Sequence, residues 1–172
     1  MFLTIAFYQF VSLKNIEQLQ TSILKSCQKN NIKGTVLLAS EGINGTVSGL
    51  ENNIHKFLEF IKTDPFLDGS FKNLEHKESW ASKNPFYRMK VRLKKEIVAL
   101  GVEGVSPAKM VGQYVNPEDW NALIKDPNTI VIDTRNNYEV DIGTFKNSIN
   151  PHTDSFREFP TFVEKNLKDN KQ

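Results

Sequence analysis

Cysteine is nearly missing from this chain: Cys27 is the single one in 172 residues. One thiol closes no intrachain disulfide, and a reducing cytosol is then the default compartment. Histidine is also scarce. His55, His76 and His152 are far apart and lack the i, i+4 or paired Cys/His spacing of a metal site, so no metal is expected and all three read as surface or structural residues. Of the nine glycines none builds a phosphate loop, since Gly42-x-x-Gly45 is not followed by the Lys-Ser/Thr such a loop needs. Nor does the spacing group a nucleophile with a histidine and an acid. No apolar run is long enough for a membrane span. The start, Met1-Phe2-Leu3-Thr4-Ile5-Ala6-Phe7, has no basic flank and soon meets Gln9, Ser12 and Lys14, so it reads as neither a signal peptide nor a membrane anchor. The net charge of +2 by itself neither requires nor excludes nucleic acid.

What is present is hydrophobic periodicity. Residues 2–10 alternate, with Leu3, Ile5 and Phe7 on one side, which predicts a strand. Ser12 is placed to cap a helix carrying Ile16, Leu19, Ile23, Leu24 and Cys27 on one face, with Cys27 toward the core. After Asn30-Asn31, residues 34–39 read as a second buried strand. Gly42 and Asn44-Gly45 tolerate positive φ and suggest a hairpin or bulge. Ser48 and Glu51 have capping-box spacing ahead of a helix with Leu50, Ile54, Phe57, Leu58 and Ile61 on one face. Pro65 and Asp68-Gly69 end it. Phe71–Trp80 is a weaker strand candidate and residues 88–94 a clearer one. The order β-α-β-β-α-β-β over residues 1–100 suits an α+β ferredoxin-like sandwich.

Residues 101–112 read as a linker. Gln113-Tyr114-Val115 is a candidate short strand. Asn116 then caps a helix beginning Pro117-Glu118-Asp119, with Trp120, Leu123 and Ile124 inward. Thr129-Ile130-Val131-Ile132 reads as a strand buried on both faces of a parallel sheet. A helical turn over Asn136–Ile142 follows. A last helix-like segment, Ser155 to Leu167, is interrupted by Pro160 and leads to a polar end.

Two groups of residues carry possible chemistry. Arg88, Lys90, Arg92 and Lys94 share one side of a strand, with Lys83, Trp80, Phe86 and Tyr87 nearby. Such a row can track phosphates and stack a base, or it can be a solvated face whose charges keep an edge strand from aggregating. The second group is Asp133, Arg135 and Glu139 at the carboxyl end of the 129–132 strand, where open α/β sheets place their sites. The fork of Arg135 can hold a carboxylate such as Glu139. These charges can equally do no more than pin a loop.

Asp133-Thr134-Arg135, then Glu139 and Gly143, resembles the first signature of rhodanese-like domains, with Thr144 where such domains usually have His. Phe7-Tyr8-Gln9-Phe10, Ala39-Ser40-Glu41-Gly42-Ile43-Asn44-Gly45, Met89-Lys90-Val91-Arg92 and Asp133-Thr134-Arg135-Asn136-Asn137-Tyr138-Glu139 together resemble, in order, the rhodanese-domain tRNA uridine(34) hydroxylases. The resemblance implies an acylphosphatase-like domain over 1–100 and a partial α/β rhodanese-like domain over 113–172. It implies oxygen-dependent conversion of wobble uridine 34 of tRNA to 5-hydroxyuridine in the cytoplasm, with molecular oxygen as co-substrate and no identified metal or organic cofactor.

In that family the catalytic cysteine lies in a loop of the type Cys-Thr-Gly-Gly-Ile-Arg-Cys, expected past Gln172. No catalytic residue therefore carries over. Asp133, Arg135 and Glu139 carry over as active-site scaffold, and Arg88, Lys90, Arg92 and Lys94 as RNA contacts. The expectation is a C-terminally shortened chain, inactive alone or active only with a second polypeptide supplying the loop, and a sheet completed by that polypeptide or by self-association. Residues 1–100 are expected to be stable and 113–172 marginal. The alternative is a non-catalytic RNA- or protein-binding module. Thiosulfate sulfurtransfer would need the same absent thiol.

Overall fold

The alternating run at the start of the chain forms strand β1 (Phe2–Phe10), which buries Leu3, Ile5 and Phe7. The structure, a computed structural model, describes residues 1–98, 100–102 and 112–167, and the chain divides into two compact units, Met1–Val98 and Ala99–Gln172. Most of the expected linker and the polar end after Leu167 lie outside the described residues.

In the first unit, helix α1 (Ile16–Lys29) buries Leu19, Ile23 and Cys27. It begins at Asn15, whose φ of 53° lies in the left-handed region that short polar side chains tolerate; Ser12, the expected cap, lies outside it. Strands β2 (Lys33–Ala39) and β3 (Gly42–Leu50) form a hairpin joined by Ser40-Glu41. Gly42 has φ 149°, and a side chain there would run into the carbonyl of Gln9. Asn44 and Gly45 lie inside β3 rather than at the turn. Gly45 is needed for close approach, since a Cβ there would sit 2.8 Å from Cζ of Phe7 and 3.1 Å from the carbonyl oxygen of Thr35.

Helix α2 (Glu51–Thr63) buries Ile54, Phe57, Leu58 and Ile61. The expected capping box does not form: Ser48 is a fully buried residue of β3, and its hydroxyl accepts from Thr4 Oγ1 at 3.0 Å. Leu50 is the helix N-cap and is 54 % exposed, so it is not part of the buried face. After a 3-10 turn at Pro65–Leu67, Phe71 and Leu74 return to the core, and β4 (His76–Ala81) and β5 (Met89–Leu93) complete the sheet.

The strand order is β4-β1-β3-β2-β5, antiparallel throughout except that β5 runs parallel to β2. Helix α1 lies over β2 and β5, and α2 over β1 and β3, so both cover one face. This is the ferredoxin-like sandwich expected from the element order. Phe57 and Phe71 are fully buried within it, each contributing about 1.5–3 kcal/mol of transfer free energy.

The second unit has helices α3 (Pro117–Leu123), α4 (Asn137–Ile142) and α5 (Phe159–Asn166). Four expectations are corrected here. Residues 113–115 form no strand. Thr129–Ile132 is not a strand buried on both faces: Ile130 is 47 % exposed, and the segment makes one parallel bridge, Ile132 to Ile149. A strand exists through its neighbours, and among the described residues this one has a single short partner. Pro160 does not interrupt the last helix but stands in its first turn, where its missing N–H has no intrahelical acceptor to lose. Leu123, expected inward on α3, is 38 % exposed. Among the described residues beyond Ile97, only Pro151 and Thr153 are buried, and no helix is long and apolar enough to cross a membrane.

Amide hydrogen exchange is therefore expected to be slow in β1, β2 and β3 and fast across residues 113–167, because local opening exposes little apolar surface in the second unit; equal protection in both would contradict the difference in burial. Phe57→Ala is expected to destabilise the first unit by about 3–5 kcal/mol in denaturant unfolding.

Candidate functional site

The second unit's polar cluster is built around the start of α4. Asn136 N-caps that helix in a capping box: its side chain accepts from the backbone of Glu139, and its own backbone N–H donates to Glu139 Oε2 at 3.3 Å. Glu139 is thus committed to the helix end. The fork of Arg135 takes Asp133 instead, which corrects the expected pairing. Its Nε donates to Asp133 Oδ1 at 2.9 Å and its Nη2 to Oδ2 at 2.6 Å. The same Nη2 donates to the carbonyl of Gly143 at 2.7 Å. Arg135 and Gly143 flank α4, so the guanidinium clamps the two ends of that short helix together.

Thr144 closes the arrangement. Its hydroxyl donates to Asp133 Oδ2 at 2.7 Å and lies 2.7 Å from the hydroxyl of Ser148. The backbone N–H of Arg135 donates to Asp133 Oδ1 at 3.2 Å. Asp133 therefore accepts four hydrogen bonds, filling the roughly four lone-pair sites of a carboxylate. Its side chain is 8 % exposed, against 47 % for Arg135; bonded partners, not depth, keep water from it. The hydrogen bonds from Arg135, then that from Thr144, hold its carboxyl well below the usual carboxylate range, and Asp133 in turn raises Arg135. A carboxylate so fully engaged and so weakly basic is no general base. It is a structural anchor for the loop.

Beside it lies a cleft of about 690 Å³ lined by Trp120, Ile132, Asp133, Arg135, Thr144 and Phe145. The Trp120 and Phe145 rings pack with centroids 5.1 Å apart, and the Trp120 indole N–H is buried with no partner among the described residues. The Nη1 group of Arg135 likewise has no partner among them, and the Arg135 side chain lines the cleft, so a cationic hydrogen-bonding group borders it. The cleft can bind and orient an anionic or acceptor-rich group. It contains no thiol. Cys27 is fully buried in the core of the other unit, and burial pushes its thiol up to about 12. A neutral thiol out of reach of solvent is not a nucleophile.

The expected cations lie in the first unit, and Asp133, Arg135 and Glu139 in the second. Arg88, Arg92 and Lys94 are exposed and Lys90 is half-buried on β5, an edge of the sheet. Trp80 is on β4, the opposite edge, and does not accompany them. Tyr87 is 97 % exposed just before β5. His76 contacts Glu78 at 3.1 Å. Among the described residues no three His, Cys, Asp or Glu side chains are placed to hold a metal. Sequence alone does not mark Thr144 as a partner of Asp133, nor single out Phe145 and Ser148. The position of Gly143-Thr144-Phe145 shortly after the Asp-x-Arg turn was the available signal, but only the fold brings Thr144 and Ser148 within bonding distance.

Asp133 is expected to remain ionised well below the ordinary carboxylate value near 3.9, when its side-chain carbon is followed by NMR. A depressed folded value means that its stabilising effect is fully present above the unfolded value and is lost as pH falls through the folded one. Thr144→Val removes one donor and should move the Asp133 titration upward; an unmoved titration would show that the hydroxyl contact is not made.

Comparison with known proteins gives a consistent picture. The family model for the UPF0176 acylphosphatase like domain matches residues 2–97. A protein of Acaryochloris marina (strain MBIC 11017) named tRNA uridine(34) hydroxylase is 55% identical over 163 residues, covering 95% of this chain and 51% of the relative. One of the same name from Teredinibacter turnerae (strain ATCC 39867 / T7901) is 54% identical over 170 residues, covering 99% and 52% respectively. The chain thus spans about half the length of the curated relatives it matches. Among solved structures, the acylphosphatase from Bacillus subtilis aligns with 54% of this chain and 99% of its own at 16% identity and a TM-score of 0.41. With a matching family model over more than half its residues, and the strand order that such a domain requires, the chain belongs to the UPF0176 acylphosphatase-like family.

Proposed function

We propose that this chain takes part in tRNA modification, the oxygen-dependent hydroxylation of wobble uridine 34 to 5-hydroxyuridine, with tRNA as partner and molecular oxygen as co-substrate. The observation that carries this reading is the 54–55% identity, over nearly the whole chain, to proteins named tRNA uridine(34) hydroxylase. In this reading residues 1–100 are the acylphosphatase-like domain, 101–112 the linker and 113–172 the first part of a rhodanese-like domain working in the cytoplasm.

The reading also assigns roles. Asp133, Arg135 and Glu139 form the scaffold of the active site: Asp133 and Arg135 brace the loop after Ile132, and Glu139 caps the helix that Arg135 clamps. The reactive sulfur is not supplied by Cys27, which is buried and held neutral. The 172 residues alone are therefore inactive, and the thiol comes from a second polypeptide or a further stretch of chain that pairs with the Ile132 segment.

A second reading, a non-catalytic RNA- or protein-binding module, is favoured by the saturation of Asp133. Deleting the gene and measuring nucleosides by mass spectrometry separates the two. Loss of 5-hydroxyuridine from tRNA is expected. Returning the 172-residue chain alone should not restore it, whereas co-expression with a polypeptide bearing the cysteine loop should. Unchanged 5-hydroxyuridine in a deletion strain without a paralogue would overturn the enzymatic reading.

A further inference from the structure

The helices cover one face of the first unit's sheet, and the cross-strand register defines what the other face presents. One row runs straight across all five strands: Lys77, Ala6, Thr46, Thr35 and Lys90. The next row is Tyr8, Asn44, Leu37 and Arg92. Small side chains thus floor the first row, with a cation at each end; in the second, Asn44 donates to the carbonyl of Ile97 at 3.0 Å, so the segment after β5 lies against that part of the face. No strand position on this face carries Asp or Glu: Glu78 falls in register with Ile5 and so lies on the helix-covered side. The nearest carboxylate, that of Glu41 in the hairpin turn, accepts from the backbone N–H of Ile97 at 2.7 Å. Lys33 extends the positive rim in line with Ser48.

The face also offers an aromatic surface. Tyr8 is 53 % exposed on β1, next to the edge strand β4, and its ring meets that of Phe10 edge-on at 6.4 Å. Edge protection accounts for the cations on the two edge strands, β4 and β5. It does not account for the missing carboxylates on the strands between them or for the exposed ring of Tyr8. A charged double helix is gripped by its phosphates from outside, whereas an open sheet face about 19 Å across with an exposed stacking ring suits splayed bases.

We propose that this helix-free face binds a short single-stranded RNA segment, with a base stacked on Tyr8 and phosphates held by Lys77 on one rim and by Lys90 and Arg92 on the other. The choice of RNA over DNA rests on the tRNA reading above; the site itself rests on the sheet.

The test uses the 172-residue chain and a fluorescent, unstructured RNA of about ten nucleotides, within the site sizes of single-strand binders. Anisotropy is followed over a range of salt. Lys90→Gln with Arg92→Gln should weaken binding at least tenfold and flatten the log–log salt slope by about 1.4, the change expected when two phosphates of a single strand are no longer neutralised. Tyr8→Leu should weaken it by about five- to a hundredfold, and Tyr8→Phe should not. Lys25→Gln with Lys29→Gln, exposed on α1 at the covered face, should change neither affinity nor slope. If circular dichroism shows the β5 variant misfolded, Lys77→Gln on the other rim probes the same phosphate-binding set.

Equal loss in the α1 variant, duplex RNA competing as well as single-stranded, no binding at all, or binding that ignores the β5 and Tyr8 changes would each overturn the proposal. The last result would leave the face to a protein partner. Sheet-dependent RNA binding by a chain whose deletion spares 5-hydroxyuridine would refute the enzymatic reading and leave this site standing.

Discussion

The contact on which the first unit depends is the seating of the Phe7 ring over Gly45. Phe7 points from β1 toward the helices, and its ring lies where any side chain at position 45 would have to be. That close approach lets β1 and β3 keep nine consecutive pairings from Phe2–Leu50 to Phe10–Gly42. It also brings Phe7 against Phe57 of α2, with ring centroids 6.1 Å apart. Packing at interior density transmits such a constraint, so the position of α2 follows from a missing Cβ on the strand beneath it. The same strand pair fixes which residues face away from the helices, and so sets the spacing of the cationic rims.

The second unit is held differently. Where the first has a continuous apolar core, the second relies on charge-assisted bonds around one short helix and on a single bridge between Ile132 and Ile149. Hydrogen bonds to ionised partners are stronger than neutral ones, but near the surface they exchange against water and stabilise weakly. Their strength lies in direction. Arg135 has two of its three nitrogens assigned to fixed acceptors, and this fixes the guanidinium of a residue that lines the cleft. A loop so braced is defined in shape while contributing little to global stability, which is a common property of segments that complete a site with other groups.

Much of the first unit was legible because apolar side chains recur there with the period of the element that buries them. Leu3-Ile5-Phe7 and Leu19-Ile23-Cys27 announce a strand and a helix without reference to anything distant. Caps were less legible. Ser12 and Ser48 have the right chemistry for helix starts, yet Ser48 was already taken by a strand whose partner lies 44 residues away. In the second half, Thr129–Ile132 has every local mark of a buried strand, but burial is conferred by neighbours and not by composition. The role of Arg135 was half legible: the spacing showed a cation beside two carboxylates, and only the capping box of Glu139 decided which it would hold.

The concealment of Cys27 has a practical corollary. Because the sole sulfhydryl here is walled off and remains protonated, thiol-directed alkylating agents should find no cysteine on this polypeptide to attack under native conditions. In any reconstituted mixture, a cysteine adduct or a sulfenic acid would therefore report on whichever other component contributed the sulfur. This chain is a silent background against which such a donor can be recognised.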